Sequence, residues 1–301
     1  MESQIIDLAY KGKGPTHVTC NLQPFPFRSY GASGAIINGT PMICGGTKKH
    51  LSSDACYIYE KGEWIEDKVA SLSTPRVHSG SVVLDKKLIM VGGDEGRYYL
   101  DTIEVVSPEA KSTILDVDLP FGIKGACVVA WDENTLFVIG GYSEHFLTKT
   151  YFINIRDETI EEGPALSTGR ASHGCQEVIV QNKPYIIVAG GNGQGGPLKS
   201  TEMLEKWLEI DQDAKAKGWI SGKDIPVDNV IEGLQMVASP KKDFVYSIGG
   251  YGAKNKVFKF SCSDGKLQNC KWEFESRLSV PRYESVAMSL PDDDLANNLC
   301  Q

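Results

Sequence analysis

Five Gly-Gly pairs, each closing a short apolar run, recur along this 301-residue chain and restrict it to folds built from one repeated unit. They end Met42-Ile43-Cys44-Gly45-Gly46, Ile89-Met90-Val91-Gly92-Gly93, Phe137-Val138-Ile139-Gly140-Gly141, Ile187-Val188-Ala189-Gly190-Gly191 and Tyr246-Ser247-Ile248-Gly249-Gly250. Their first glycines fall 47, 48, 50 and 59 residues apart, a period of about 50 residues. Each unit reads as four short strands separated by turn residues. In the second unit these are residues 78–84, a turn at Asp85-Lys86-Lys87, then 88–91, 101–107 and 112–117. The first unit repeats the order through 31–37, a hairpin turn at Asn38-Gly39, the Gly45-Gly46 strand, 55–59 and 63–67. Short strands that are apolar on both faces suit sheets packed face to face around an axis. Paired glycines fit that arrangement, because a residue without a Cβ lets backbones approach where the inner strands crowd. Trp64, Trp219 and Trp272 fall on fourth strands, where a ring fills the wedge between sheets.

Unit starts add to the pattern. Pro75-Arg76, Gly169-Arg170 and Pro281-Arg282 open units, Phe27-Arg28 is a close variant, and Ile123-Lys124 and Ile231-Glu232 depart from it. Thr201-Glu202-Met203-Leu204 supplies third-strand wording. With these starts, the Gly-Gly strand ends and the later Trp, essentially the whole chain resembles the Kelch repeat. The resemblance implies an all-β Kelch-type β-propeller forming a single domain over residues 1–301, and counting from its two ends makes it six-bladed, with an open five-bladed ring with frayed ends as the alternative. Five Gly-Gly blades occupy about 25–279. The sixth is expected to close from both ends: 281–288 resembles a first strand, 4–9 and 17–22 resemble third and fourth strands, and pairing 1–24 with 280–301 removes exposed sheet edges. About ten extra residues around 206–217 read as an insertion, either a longer hairpin or a helical turn.

Lys and Arg total 31 against 39 Asp and Glu, a net charge of −8, which disfavours nucleic acid or an anionic membrane as partner. No apolar run approaches the roughly 20 residues of a spanning helix. Residues 1–14 lack the apolar core of a signal peptide. The domain is expected to be monomeric. Of eight cysteines, Cys262 and Cys270 bracket a hairpin tip and Cys44 and Cys56 flank a loop between neighbouring strands, so both pairs are disulfide candidates. Cys127 and Cys175, on first strands of successive blades, read as buried reduced thiols, and Cys20 and Cys300 both lie near the closing blade. These pairs resemble those of cysteine-bearing Kelch proteins of invertebrate secretions, which implies an extracellular location, with a cytoplasmic one as the alternative. Asn38-Gly39-Thr40 is a glycosylation sequon, and equally a type I′ turn.

There is no P-loop, GxSxG, HExxH or CxxC motif. The five histidines, His17, His50, His78, His145 and His173, include no pair at metal-ligand spacing, so no metal or cofactor is expected. The resemblance implies that first-strand starts and the loops after Gly-Gly share one mouth of the ring. Starts contribute Arg28, Ser29, Tyr30, Arg76, His78, Lys124, Arg170, Ser172, Arg282 and Tyr283; loops contribute Asp94, Arg97, Tyr98, Tyr142, Asn192 and Tyr251. Arg mixed with Tyr is typical of interaction hot spots. The expectation is a non-enzymatic scaffold binding a protein or glycan through Arg76, His78, Tyr98, Tyr142, Arg170, Tyr251 and Tyr283. Arg76 and Arg170 read equally well as repeated structural residues paired within their blades, so the loop aromatics Tyr98 and Tyr99 weigh more. The alternative is a secreted propeller enzyme, a metal-dependent oxidase or isomerase-like, with a site at the channel mouth. His78, His173, Tyr142 and Tyr251 supply the residue types of the copper-radical oxidases that share the Kelch fold, but no local motif matches theirs.

Overall fold

The computed structural model describes residues 5–7, 18–20, 23–66, 69–108, 110–207, 218–227 and 231–289. Five four-stranded antiparallel sheets form the body. Blade 1 comprises Ala32–Ile37, Thr40–Gly45, Cys56–Glu60 and Glu63–Ile65. Blade 2 comprises Gly80–Leu84, Lys87–Val91, Ile103–Ser107 and Ala110–Ile114. Blade 3 runs through Cys127–Ala130, Thr135–Ile139, Thr150–Asn154 and Thr159–Glu162. Blade 4 has Gly174–Val180, Lys183–Ala189, Thr201–Glu205 and Ile220–Ser221, and blade 5 has Gln235–Ala238, Phe244–Ile248, Lys256–Cys262 and Cys270–Arg277. The expected strand order and turns recur. Asp85 and Lys86, Gln181 and Asn182, and Asn38 with Gly39 all take positive φ, the backbone of a type I′ hairpin turn whose twist matches its strands.

The cores lie between blades. Met42 and Cys44 of blade 1 pack with Leu88 and Met90 of blade 2, Ile89 and Val91 with Leu136 and Val138 of blade 3, Phe137 and Ile139 with Ile186 and Val188 of blade 4, and Ile187 and Met203 with Val245 and Phe260 of blade 5. Successive residues of the second strands of blades 2, 3 and 4 therefore feed opposite interfaces, which is why their runs before Gly-Gly are apolar throughout rather than alternating. The Trp272 indole, buried between blades, donates to Thr201 Oγ1 of blade 4 at 3.0 Å. The architecture is a β-propeller.

Its glycines mark contacts between backbones. A Cβ on Gly92 would lie 2.2 Å from the Ile123 carbonyl oxygen, and Gly92 also takes φ +61°, so only glycine fits. The second glycine of each pair then donates its N–H to the residue that opens the next unit: Gly46 to Arg76, Gly93 to Ile123, Gly141 to Arg170, Gly191 to Ile231 and Gly250 to Arg282, at 2.7–2.9 Å. The repeated motif is the joint between consecutive blades.

Two expectations need correction. The described residues form five four-stranded blades, not six. Ile5–Asp7 pairs only with Val18–Cys20, and residues 281–289 form no strand because Glu284 is held by single backbone bonds to Gly233 and Gly31 rather than by a ladder. The rest of the expected closing blade, including Cys300, and residues 208–217 of the insertion lie outside the described residues. Cys127 and Cys175 are not reduced thiols: they form a disulfide with a Cα separation of 5.9 Å, joining the first strands of blades 3 and 4. The other two expected bonds are present. Cys44–Cys56 and Cys262–Cys270 each join directly opposed residues on neighbouring strands.

Candidate functional site

One mouth of the ring is built on a closed circuit of backbone hydrogen bonds. The N–H of His78 donates to the Gly31 carbonyl, Gly125 to His78, Ser172 to Gly125, Gly233 to Ser172, Glu284 to Gly233 and Gly31 to Glu284, all at 2.8–3.1 Å. Five members come from the starts of the five blades; Glu284 is the sixth. All six have positive φ, and glycine alternates with a residue that bears a side chain: Gly31, His78, Gly125, Ser172, Gly233, Glu284. Left-handed backbone at His78, Ser172 and Glu284 is sparsely populated for such residues, and the circuit holds them there. Each side chain leans over the glycine before it. A Cβ on Gly31 would meet the His78 ring at 2.6 Å, one on Gly125 would meet Ser172 Oγ at 3.2 Å, and one on Gly233 would meet Glu284 Cγ at 2.8 Å. This arrangement brings His78 Nε2 to 3.4 Å from Glu284 Oε2. A cavity of about 80 Å³ opens between them on the axis, lined also by Ser79, Gln235 and Ser285.

First-strand starts and the loops after Gly-Gly do meet at this mouth, through bridges Val77 to Asp94, Lys124 to Tyr142 and Ala171 to Asn192. Around the circuit lie aromatic side chains. Tyr98, Tyr251 and Tyr283 are 69%, 72% and 60% exposed, with Tyr30 and Tyr99 also exposed. Every exposed tyrosine among the described residues belongs to this mouth, and Leu51 extends the apolar surface beside the Tyr98 loop, where Ser52 Oγ donates to the Asp94 carbonyl at 3.2 Å. Tyr142 is half-buried, 6.0 Å from the Tyr99 ring and 5.1 Å from Phe146. Lys124 sits over Tyr99 at 4.6 Å while pairing with Asp94 at 3.0 Å. Both contacts raise the Lys124 pKa against the opposing effect of partial burial.

Arg76 and Arg170 are not on this surface. Both are 0% exposed. The Arg76 guanidinium donates to the Gly92 and Thr102 carbonyls, Thr102 Oγ1 and, at 2.8 Å, Glu104; Arg170 repeats the set with Gly190, Ser200 and Glu202. These are the in-blade pairs weighed as the alternative reading. Desolvation pushes both arginines downward, and the carboxylates counter it. Sequence reasoning missed the partners, although a hydroxyl and a carboxylate two residues apart, Thr102/Glu104 and Ser200/Glu202, must share one face of a strand. It also missed Glu284 and Glu232.

His173 occupies a different environment. Only 6% exposed, it has no hydrogen-bond partner at either ring nitrogen. A side chain added at Gly140 would meet His173 at 3.1 Å, just as one at Gly190 would meet Leu234 at 2.6 Å, so His173 holds a leucine-like place between blades. Desolvation, with the Arg170 charge, lowers its pKa from 6.5 to about 3. The unfolded chain therefore binds a proton below pH 6.5 that the folded chain refuses, and stability falls by up to ~1.4 kcal/mol per pH unit from there toward pH 3. His173→Leu removes this loss. Between pH 6.5 and pH 5 the parent should lose about 1.6 kcal/mol more than the variant in urea unfolding; parallel pH profiles would show that His173 is not the sensor. Among the described residues no three His, Cys, Asp or Glu side chains are placed to hold a metal ion.

No family profile matches the chain. Spermatocyte protein spe-26 from Caenorhabditis elegans is 27% identical over 131 residues, covering 41% of this chain and 22% of that protein. The match thus spans about a fifth of that relative's length. The solved structure of YjhT superposes with a TM-score of 0.68 at 15% identity, covering 89% of each chain, a likeness of fold alone. No helix among the described residues is long and apolar enough to cross a membrane.

Proposed function

We propose that this chain is a Kelch-type propeller acting as a non-enzymatic binding module, which docks a protein or glycan partner on the tyrosine-bearing mouth. The observation that carries the reading is the confinement of the exposed tyrosines among the described residues to that one mouth. Tyrosine presents a large amphipathic contact surface with few rotors to freeze, so a rigid rim of tyrosines binds at low entropic cost. The axial cavity of about 80 Å³ is far below the 300–1,000 Å³ that encloses a small-molecule substrate, which favours gripping a partner's surface over engulfing a substrate. His78, Tyr98, Tyr142, Tyr251 and Tyr283 remain the proposed contacts, while Arg76 and Arg170 support them from within the blades. The three disulfides among the described residues agree with an extracellular location, which forms part of the proposal.

A photo-cross-linking residue placed at Tyr98 or Tyr251, and in parallel at Asp132 in the hairpin turn at the far end of blade 3, tests this in native extracellular fluid; a glycan array probes the other partner class. Adducts or glycan signals that depend on the Tyr98 and Tyr251 positions support the reading. Equal labelling from Asp132, together with a blank array, overturns it.

A further inference from the structure

The mouth is not chemically uniform. In the sector where blade 5, residues 281–289 and blade 1 meet, two carboxylates stand among exposed tyrosines. Glu284 is a member of the axial circuit, with Tyr283 before it and Tyr30 next to Gly31 on the following position. Glu232 precedes Gly233, and its carbonyl accepts the N–H of Tyr251 at 2.8 Å. The polar contacts of these carboxylates are weak: Glu284 faces His78 Nε2 at 3.4 Å, a nitrogen with no hydrogen-bond partner, and Glu232 receives Asn192 Nδ2 at 3.4 Å. On the opposite side, by contrast, Asp94 and Lys124 neutralise each other at 3.0 Å. The adjoining cavity is also bordered by His173, a buried polar side chain with neither nitrogen satisfied.

Carboxylates favour a cation through charge, and exposed tyrosines on the same rim add the attraction of their ring quadrupoles. The chain's net charge of −8 attracts the same kind of partner at long range. Glu284 lines the cavity of about 80 Å³, which admits one head group, while Glu232 and the tyrosines stand outside its lining. Resting on the binding reading above, we infer that Glu232, Glu284, Tyr30, Tyr251 and Tyr283 form a receptor for a basic side chain, the ammonium of lysine or the guanidinium of arginine, presented by a protein partner.

The test is fluorescence anisotropy of the full chain with labelled nine-residue oligo-arginine, oligo-lysine, oligo-glutamate and Gly-Ser peptides at physiological ionic strength. Basic peptides should bind at least ten-fold more tightly than the others. Glu284→Gln and Glu232→Gln should each weaken that binding at least five-fold, while Glu133→Gln, which removes the same charge from the far end of blade 3, should change it less than two-fold. Unchanged thermal melting certifies each variant, and Glu232→Gln serves alone if Glu284→Gln disturbs the circuit. Equal losses from all three substitutions would reduce the effect to net charge and overturn the inference, as would oligo-glutamate binding as well as oligo-arginine. Tyr98-dependent cross-links that survive Glu284→Gln and Glu232→Gln would overturn the cation receptor while leaving the binding reading intact.

Discussion

Replacing Cys127 and Cys175 together by serine is expected to lower stability by about 4 kcal/mol, more than the loss of Cys44–Cys56 or of Cys262–Cys270. Their separation of 48 residues closes the longest loop among the three bonds of the described residues, and loop-closure entropy in the unfolded chain rises with that length. The same relation gives roughly 3 kcal/mol for Cys44–Cys56, with a separation of 12, and somewhat under 3 kcal/mol for Cys262–Cys270, with a separation of 8. Denaturant unfolding of the three paired variants under non-reducing conditions provides the ranking. If the hairpin bond Cys262–Cys270 proves the costliest, the loop argument fails for this protein. The inter-blade bond also differs in kind: the other two staple strands that already pair within one sheet, whereas Cys127–Cys175 fixes one sheet against the next.

Glu202→Gln is expected to cost about 3–5 kcal/mol, since it leaves the Arg170 guanidinium buried without its counter-charge. One further bond goes with it, because Glu202 also accepts the backbone N–H groups of Ser167 at 2.7 Å and Thr168 at 3.3 Å on different oxygens, and glutamine keeps only one of the two. Glu104→Gln should behave alike, for the Ser73 N–H donates to the same carboxylate that pairs with Arg76. The double substitution Arg170→Met/Glu202→Leu should recover much of the loss, because an apolar pair of similar volume carries no desolvation penalty. Urea unfolding of the single and double variants decides this: a double variant as unstable as Glu202→Gln would mean that the Ser167 and Thr168 bonds, and not the buried charge, dominate. Arg170→Ala is consequently expected to damage any binding at the mouth through unfolding, with no contact to the partner implied.

The architecture was legible because its signal is local and repeated. An apolar run ending in Gly-Gly is at once a strand, a close backbone approach and a joint to the next unit, so five copies overdetermine the propeller. The Asn38-Gly39 turn and the two hairpin disulfides were readable for the same reason, since both partners lie within one sheet. What escaped depends on neighbours remote in sequence. Cys127 and Cys175 meet only once two blades are docked, so no local spacing announces their bond. Arg76 and Arg170 looked like surface hot spots because arginine usually is exposed; their burial follows from Glu104 and Glu202, which lie on third strands. Glu284 escaped because its importance comes from a backbone position shared with Gly31 and His78, and nothing in its own local sequence declares that equivalence.

The axial circuit has a bearing on when the mouth comes into being. Gly31 receives its partner from Glu284, so the start of blade 1 and the segment that follows blade 5 are directly joined. During synthesis the blades can form in succession, each capturing the next through its Gly-Gly joint, yet the Gly31 N–H waits unpaired until residues beyond Glu284 have left the ribosome. Glu284 and Tyr283 arrive in the same step. A chain interrupted before that point would therefore carry a broken circuit and lack Glu284 and Tyr283, so the mouth is completed only after all five blades have been made.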